Sequence, residues 1–402
     1  MWQQQWIQKT QRRLDQGALP LRVKFWDGSE YLPRVPERLA LTLNGPSALR
    51  TLALPTMGRL ARAYVEDEFD VTGDIRDILE ISEQLCDAGR AADQRASPLF
   101  SRLRHSLFSD RKNIGFHYDV SNEFFGLWLD ARRVYSCAYY LRPEDSLETA
   151  QEQKLDLICR KLMLQSGERL LDVGCGWGGL IFWAAERYGA HCLGITLSAN
   201  QHDYVAAEIA RRGLSSLVEV RLLDYREVPE DHPFDKIASV GMFEHVGQGN
   251  LRRYFAKLHR LLKPGGLLMN HGITAASCGT TGLRSDIGDF IEQYVFPGGE
   301  LVHVSGVIAA LASEGLECID VESLRPHYSR TLWHWVERLE AHADKARALV
   351  GEKKFRIWRI YMAGSAHAFA RGWMSLSQIL AARPLADGGL SYPFTREHLY
   401  GG

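Results

Sequence analysis

The chain has 402 residues, of which 46% are hydrophobic and 24% charged, and its formal net charge is −1. This composition is typical of a soluble globular protein with two or three domains, and the balanced charge excludes an overall field that attracts nucleic acid or anionic lipid. The seven cysteines include no CxxC pair, which argues against a disulfide framework or a zinc site and favours a reducing compartment.

Two further features concern export and membranes. Residues 1–17 lack the apolar core of a signal peptide. No stretch approaches about 18 uncharged apolar residues, the length that crosses a bilayer. We therefore expect a cytoplasmic protein that binds neither a metal ion nor nucleic acid.

Residues 1–88 are predicted to form a small N-terminal α+β domain. LRVKFWDGSEYLP contains a DG turn between two strand-like runs, a pattern that predicts a β-hairpin. LALTLN and ALRTLAL are interpreted as further strands. Residues 59–85 then have apolar side chains at three- and four-residue spacing, which predicts a helix, a break at Gly73 and a second helix.

Residues 89–113 are predicted to link this domain to the next one. Six basic and two acidic residues give the segment a charge of +4. Within it, residues 99–108 place apolar side chains near one helical face, with arginines between them. Two interpretations stay open: a linker helix packed on its own protein, or a basic amphipathic helix on an anionic membrane surface.

From about residue 114 the pattern becomes α/β. Helical segments at 179–188, 200–212 and 250–262 alternate with short apolar runs that predict strands at 169–173, 192–196, 218–222, 236–240 and 266–271. This alternation predicts right-handed crossovers and a parallel sheet covered on both faces, so the fold class is α/β with a doubly wound, Rossmann-like sheet. A helix-rich tail is expected after residue 305.

The loop LDVGCGWGG after the first of these strands gives the clearest functional signal. A strand, a glycine loop and a helix bring a ligand against bare backbone at the carboxyl end of the strand. Gly174, Gly176 and Gly179 satisfy GxGxxG, but the next strand ends without the acid that holds the ribose of NAD. Asp172 instead indicates a ligand with a positive charge, such as S-adenosylmethionine. NAD and a tight turn without a ligand are the remaining interpretations.

Seven ordered motifs are far more specific than one glycine loop. They are HYDVSNEFFGLWLD (117–130), VYSCAYY (134–140), LDVGCGWGG (171–179), GITLSANQ (194–201), FEHVG (243–247), LLKPGG (261–266) and FPGGEL (296–301). Together they closely resemble the cyclopropane fatty acid synthases, whose mycobacterial relatives modify mycolic acids. The resemblance covers about residues 110–385. It implies a methyltransferase domain over 114–402, and residues 1–88 resemble the extra domain of the phospholipid-acting bacterial members.

The resemblance implies which residues bind S-adenosylmethionine. The cofactor contacts of the family lie on motifs that this chain contains. The matching positions surround the methionine part (Tyr135, Ser136, Asp172, Gly174 and Gly176), the ribose (Thr196 and Gln201) and the adenine (Asp224 and Tyr225).

The family's reaction transfers the methyl group of the sulfonium to a cis double bond in a membrane phospholipid acyl chain. The resulting carbocation loses a proton from the new methyl group, and a cyclopropane ring closes. Such a site must exclude water, stabilise a cation and hold a base. In the family the base is a bicarbonate ion, and the positions that match its binding site are Cys137 (backbone), Glu244, His271, Ile273 (backbone) and Tyr328. Because a carboxylate beside an anion is repulsive, Glu244 is expected to hold or receive a proton.

This chain departs from the family pattern at three places. HGI (271–273) replaces the usual HTI, HYDVSN replaces an HYDLGN-like run, and Ser365 stands where many members have Cys. Gly272 is expected to loosen the base site, which leaves the product open between a cyclopropane and a methyl- or methylene-branched chain. The aromatic run VYSCAYY disfavours a small-molecule methyltransferase, and the presence of all three base-site side chains disfavours a non-catalytic lipid-binding protein.

The lipid substrate implies a route from the bilayer to the site. The segment 272–305 is interpreted as a lid or tunnel wall for the acyl chain, or else as an ordinary core helix; its apolar residues are Phe290, Ile291, Tyr294, Val295 and Phe296. Because the tails of the substrate lie in a bilayer, we expect peripheral association with the inner face of the membrane, through residues 1–88 or the basic segment 99–112. The family also suggests a homodimer.

Overall fold

The computed structural model describes residues 7–87 apart from 9, 13, 16 and 17, together with 121–278, 285–295 and 300–400. This part of the chain divides into two compact units. The first contains the described residues of 1–101, 283–297 and 340–367, and the second those of 102–282, 298–339 and 368–402. The predicted linker at 89–113 lies outside the described residues.

The chain begins with short strands and helices and continues, from about residue 147, with alternating helices and strands, as the sequence predicts. The strands are β1 (Leu21–Lys24), β2 (Glu30–Tyr31), β3 (Leu39–Leu43), β4 (Phe69–Thr72), β5 (Arg169–Val173), β6 (His191–Thr196), β7 (Val218–Leu222), β8 (Phe234–Val240), β9 (Leu262–Ala275), β10 (Glu317–Ser323) and β11 (Met374–Ala382). The main α-helices are α1 (Ala48–Ala53), α2 (Met57–Val65), α3 (Ile75–Asp87), α4 (Asn122–Phe125), α5 (Leu147–Lys161), α6 (Gly179–Tyr188), α7 (Ala199–Arg212), α8 (Leu251–Leu261), α9 (Ser285–Tyr294), α10 (Val304–Ala312), α11 (Arg325–Ala341), α12 (Ala343–Ala370) and α13 (Glu397–Tyr400). Short 3-10 turns lie at Tyr225–Glu227, Phe243–His245 and Gln248–Asn250.

The first unit contains a four-stranded sheet in the order β2–β1–β3–β4. β1 and β2 pair antiparallel, with Val23 opposite Tyr31, which confirms the predicted hairpin at the DG turn. β3 pairs parallel with β1 and antiparallel with β4. The predicted strand LALTLN is therefore confirmed as β3.

Two local predictions in the first unit are wrong. ALRTLAL forms helix α1 rather than a strand, because its buried side chains fall on one helical face: Ala48, Leu49, Leu52 and Ala53. The region predicted as two helices contains strand β4 just before Gly73. Four residues with an aromatic and a β-branched side chain suffice here because β3 offers a free edge for pairing.

The first unit also includes α9 and most of α12, which were predicted to belong to the methyltransferase domain. Polar contacts account for this association. The Arg356 guanidinium on α12 donates to Asp70 Oδ1 at 2.6 Å, and the Tyr294 hydroxyl on α9 donates to Glu66 Oε1 at 2.6 Å. The compact units therefore do not correspond to a single cut in the chain.

A seven-stranded sheet in the order β10–β11–β9–β8–β5–β6–β7 forms the second unit. The five predicted strands are confirmed as β5 to β9, and they pair parallel throughout. The strand order reverses at β5, which has β6 on one side and β8 on the other. In doubly wound sheets a ligand binds at such a switch point, outside the carboxyl ends of the strands.

The tail after residue 305 is rich in helices, as predicted, but it also supplies two strands that the sequence did not indicate. β11 pairs antiparallel with β9, and β10 pairs antiparallel with β11. β11 is almost entirely buried, so its apolar run lacks the alternation that identifies a half-exposed strand. Its partner β9 lies about 100 residues earlier, beyond the reach of any hairpin signal.

Two separate apolar cores cover the two faces of this sheet. Helices α5 and α6 contribute to one core, with Ile158 and Ile181 fully buried. Helices α8 and α10 contribute to the other, with Leu258 and Leu311 fully buried. The sheet is thus the middle layer of three, as a doubly wound fold requires.

The longest helix shows why length alone does not indicate a membrane span. α12 has 28 residues, but Gly351 interrupts its helical geometry with a φ of 79° and a ψ of 162°. Charged residues recur along it. Within the described part of the chain, no helix combines the length and the apolar character needed to cross a bilayer.

Candidate active site

A cavity of about 150 Å³ opens at the switch point of the sheet, where the glycine loop leaves β5. Gly174 and Gly176 have φ values of 84° and 54°, a region that side chains rarely adopt. The loop therefore turns tightly and presents bare backbone. All nine residues predicted to bind the cofactor line this one cavity: Tyr135, Ser136, Asp172, Gly174, Gly176, Thr196, Gln201, Asp224 and Tyr225.

Asp172, at the end of β5, is the acid that lines the floor of this loop. The residue is 2% exposed, and its Oδ1 atom has no hydrogen-bond partner among the described residues. Burial raises the pKa of this carboxyl to about 7, and the nearby Lys154 partly opposes that shift. A buried carboxylate oxygen without a donor is suited to a cationic ligand.

Lys154 is a cavity residue that reasoning from the sequence missed. Its side chain on α5 is almost fully buried, and Nζ donates to Ser136 Oγ at 2.8 Å. Burial lowers the pKa of this lysine to about 8. A signal was present, since Leu147, Lys154, Ile158 and Lys161 follow the three- and four-residue spacing of the buried helix face.

The polar groups expected around a ribose and an adenine are held in place by their own neighbours. The Thr196 hydroxyl donates to Gln201 Oε1 at 2.7 Å, which leaves the amide nitrogen of Gln201 as the donor for a ligand. Asp224 accepts from the side chain of Arg226 through both oxygens, at 2.8 and 2.7 Å. Thr196 and Gln201 therefore fit the predicted neutral contacts to a ribose, and Asp224 fits the predicted acceptor for an adenine.

Glu244 lies in the 3-10 turn that follows β8, next to His245, which lines the cavity. Its Oε1 atom accepts from the backbone nitrogen of Ile273 at 2.6 Å. Although the residue is partly exposed as a whole, its Oε2 atom is buried and has no hydrogen-bond partner among the described residues. Burial raises the pKa of this carboxyl to about 7. The group can therefore hold a proton near neutral pH.

His271 lies on β9, two residues before Ile273. Its ring is 1% exposed, and burial, together with Lys154 and Lys161, holds its pKa well below the usual value. Nδ1 lies 3.2 Å from Gln378 Nε2, whereas Nε2 is buried with no partner among the described residues. The backbone of His271 contacts the cavity wall, since Gly241 donates to its carbonyl at 2.8 Å.

Cys137 and Tyr328 meet at the backbone of Leu324. The Leu324 carbonyl accepts from the Cys137 thiol at 3.8 Å and from the Tyr328 nitrogen at 3.1 Å. Burial raises the pKa of the Cys137 thiol, so its side chain is an inert packing group and only its backbone fits the predicted role. The backbone N–H of Leu324 also donates to the carbonyl of Leu376. Leu376 lies opposite Ile273 in the β9–β11 pair.

The five predicted base-site residues thus form two groups: Glu244 contacts Ile273, two residues after His271 on β9, whereas Cys137 and Tyr328 meet at Leu324. None of the five is in the lining of the cavity. Cys137 follows Ser136 in the chain, and Glu244 precedes His245. Both of those neighbours line the cavity. Glu244 Oε2 and His271 Nε2 are two buried polar atoms without a partner among the described residues. By their chemistry they would suit a small oxyanion, such as bicarbonate, that accepts from the histidine and shares a proton with the carboxyl.

The prediction that Gly272 loosens the base site is wrong. A Cβ atom at position 272 would clash with Phe243 Cε1 and lie 2.8 Å from Glu244 Oε1. The Phe243 ring is 2% exposed and occupies the space that a larger residue would need. The glycine therefore accommodates a bulky neighbour, and no space is left open there.

Aromatic rings connect the cofactor cavity to Tyr328. The Tyr135 ring lies 5.5 Å from Trp128 and 5.2 Å from Trp335, measured between centroids. Trp335 in turn lies 6.1 Å from Tyr328, at an interplanar angle of 90°. Buried aromatic faces of this kind stabilise a cation by about 2 kcal/mol each when water is excluded.

The segment interpreted as a lid falls into several parts. β9 continues to Ala275, and α9 belongs to the first compact unit, where Phe290 and Val295 are buried. Phe296 and the FPGG turn lie outside the described residues. A role in acyl-chain access therefore stays a prediction.

Comparisons with known proteins agree with this arrangement. The sequence profile of the family described as mycolic acid cyclopropane synthetase matches residues 105–379. A probable fatty acid methyltransferase of Pseudomonas putida is 46% identical over 382 residues, covering 95% of this chain and 96% of that protein. The tuberculostearic acid methyltransferase UfaA1 of Mycobacterium tuberculosis is 32% identical over 375 residues, covering 90% of this chain and 87% of its own length.

A solved structure gives the same result for the fold. The mycolic acid cyclopropane synthase CmaA1 complexed with SAH and CTAB is 36% identical, with a TM-score of 0.64, and covers 68% of this chain and 98% of its own. The profile match includes the glycine loop, Glu244, His271 and Tyr328. The chain therefore belongs to the mycolic acid cyclopropane synthetase family and is an S-adenosylmethionine-dependent methyltransferase.

Proposed function

We propose that this enzyme transfers the methyl group of S-adenosylmethionine to the cis double bond of a phospholipid acyl chain and forms a cyclopropane ring. Glu244 and His271 would hold a bicarbonate ion, which would supply the base for the proton that must leave the new methyl group. The observation that carries this proposal is the pair of buried, unpartnered polar atoms, Glu244 Oε2 and His271 Nε2, next to the cofactor cavity.

The bound cofactor supplies an electrophilic methyl group on a positively charged sulfur. Asp172 offers a buried carboxylate oxygen to the positive charge of the methionine part. Tyr135 lines the cavity and packs against the buried Trp335, so its ring would be held where it can stabilise the carbocation formed when the double bond attacks. Because a π bond is a weak nucleophile, this electrostatic stabilisation of the transition state is required for turnover.

The base site must then remove a proton while it keeps water away from the carbocation. His271 is fully buried and uncharged, so its ring can donate to the anion without competing for the proton. Glu244, with a pKa of about 7, can share a proton with the anion rather than repel it. The Ile273 N–H holds Glu244 in this position.

The direct test combines the purified protein with S-adenosylmethionine and vesicles of cis-unsaturated phospholipid. The fatty acids are analysed by mass spectrometry and NMR, with and without bicarbonate. We expect a cyclopropane product whose rate depends on bicarbonate. Lack of any methylated lipid would contradict the proposed substrate, and a bicarbonate-independent rate would contradict the proposed base.

A second candidate keeps the cofactor and the lipid but changes the product to a methyl- or methylene-branched chain. The relative named tuberculostearic acid methyltransferase and the relative named probable fatty acid methyltransferase favour it. A saturated methyl branch also requires a hydride from a separate reductant. The same fatty-acid analysis separates the candidates, because only the cyclopropane product lacks both an alkene and a branch.

We further propose that the protein binds the inner face of the membrane peripherally, through residues 1–88 or the basic segment 99–112. The charge of that segment supports the proposal. Replacing Arg102, Arg104, Arg111 and Lys112 by Glu in the full chain is expected to abolish flotation with anionic liposomes, whereas Lys354→Glu, at an exposed position of α12, serves as the control. Unchanged flotation would contradict a role of the segment. The homodimer suggested by the family is tested by sedimentation of the same samples.

A further inference from the structure

A chain of polar side chains leads from His271 away from the cofactor cavity. Gln378 lies directly opposite His271 in the β9–β11 pair, and its Nε2 atom lies 3.2 Å from His271 Nδ1. Gln378 Oε1 accepts from Lys161 Nζ at 2.7 Å. Lys161 also donates to Glu322, which accepts a further hydrogen bond from Tyr139 at 3.2 Å.

The chemistry of the groups fixes the direction of these hydrogen bonds. A lysine ammonium paired with a glutamate has only donors, so it must meet the oxygen of the Gln378 amide. The amide nitrogen then faces His271 and donates to Nδ1. Nδ1 is consequently an acceptor, and the single ring proton of neutral His271 must be on Nε2.

Burial makes the opposite orientation of the Gln378 amide energetically unfavourable. Gln378, His271 and Lys161 are each about 1% exposed, so water does not offer alternative partners. Apolar residues at 161 and 378 would fill the same space without the desolvation of an ammonium and an amide. A fully connected polar chain at this depth has a defined geometry, and it ends at the one histidine of the predicted base site.

We propose that Gln378, held by Lys161, is a positioning residue that fixes His271 as the Nε2–H tautomer and aims this N–H at the anion of the base site. The opposite tautomer would present a lone pair to the anion and repel it. This inference rests on the proposed function for its anion, but the tautomer itself is a property of the protein alone.

The first experiment measures the tautomer directly. The full chain is labelled with ¹⁵N-histidine, and the nitrogen shifts of His271 are assigned by their loss in His271→Asn. We expect an acceptor-type Nδ1 and a protonated Nε2 in the unsubstituted protein. A protonated Nδ1 would overturn the proposal, whatever the activity of the enzyme.

The second experiment reverses the tautomer. Gln378→Glu is nearly isosteric and retains an acceptor for Lys161, but it offers His271 only an oxygen, so Nδ1 must become the donor. We expect the nitrogen shifts to exchange and the bicarbonate-dependent kcat to fall by about tenfold to a hundredfold, as for other residues that orient a functional histidine. Affinity for S-adenosylmethionine should stay within about twofold. Unchanged shifts, or unchanged kcat with exchanged shifts, would overturn the proposal.

A matched control carries the same chemical change on the surface. Gln165 is exposed and its amide donates to the Met163 carbonyl, so Gln165→Glu is expected to change neither the shifts of His271 nor kcat. If Gln378→Glu does not fold, the tautomer of the unsubstituted protein still decides the question. If the unsubstituted protein methylates no lipid, the proposed function fails, while the nitrogen shifts still test the tautomer.

Discussion

The cofactor cavity and the base site are neighbours, but they are built in different ways. In the cavity most polar side chains already have protein partners, such as Thr196 with Gln201 and Asp224 with Arg226. In the base site Glu244 and His271 each keep one buried polar atom without a partner among the described residues. Apart from Asp172 Oδ1, the cavity thus offers polar groups that the protein already holds, whereas the predicted base site keeps two buried polar atoms that would suit the proposed anion.

The difference also concerns where the residues come from. The cavity is built mainly from loops at the carboxyl ends of three adjacent strands, β5 to β7, each within one short motif. The base site combines a turn after β8, the end of β9, the start of α11 and the chain before α5. Substitutions in the two regions should therefore separate cofactor binding from proton removal.

The largest effect is expected in the base site. Glu244→Gln removes the group that shares a proton with the anion, so kcat should fall by about a hundredfold or more, while the Kd for S-adenosylmethionine stays within about twofold. Tyr328→Phe should act in the same direction. Turnover and calorimetric binding measure the two effects, with the exposed Glu219→Gln as control. An equal loss of cofactor binding would contradict the assignment of both residues to the base site.

A smaller effect on a different quantity is expected in the cavity. Asp172→Asn keeps the shape of the side chain but removes the charge that faces the cofactor, so the Kd should rise by about tenfold to a hundredfold, the range of a charge-assisted hydrogen bond. Because the pKa of Asp172 is about 7, cofactor binding to the unsubstituted protein should tighten as the pH rises through 7. Asp156→Asn is the control, and a pH-independent Kd would contradict the role of Asp172.

The Phe243–Gly272 contact tests whether the base site is closely packed. Gly272→Thr, the residue usual in the family, should destabilise this protein by about 1–3 kcal/mol through overpacking. Adding Phe243→Leu should restore part of the loss. Chemical denaturation of the two single variants and the double variant measures the coupling. Gly45→Thr is the control, since a Cβ there meets nothing within 4 Å. Additive effects would show that the two positions do not compete for space.

The smallest effect concerns stability and pH. The pKa of Glu244 is raised from 4.5 to about 7 in the folded protein, so between these values the native state binds a proton that the unfolded state has lost. The free energy of unfolding should therefore fall as the pH rises from about 4.5 to about 7. Over this range the free energy of unfolding of the unsubstituted protein should fall by about 1–3 kcal/mol relative to that of Glu244→Gln, whose amide does not titrate. A constant difference would mean that Glu244 ionises normally.

The sequence predicted the cofactor cavity better than the surroundings of the base site. The parallel strands, the glycine loop and the nine cavity residues lie in contiguous motifs, so local patterns and the family resemblance locate them. Gln378 faces His271 only because β11 pairs antiparallel with β9, and no local pattern announces a strand in that tail. Lys154 and Lys161 escaped notice because a lysine in an amphipathic helix is ordinarily read as part of its solvated face.

Helix α5 has a mechanical consequence for catalysis. It carries Lys154, which is hydrogen-bonded to Ser136 in the cofactor cavity, and Lys161, which is hydrogen-bonded to Gln378 beside His271. The two lysines are seven residues apart, which is about 10 Å along the axis of a rigid helix. Helix α5 therefore fixes the distance between the cofactor cavity and the predicted base site. A shift of α5 along its axis would displace Ser136 and Gln378 together.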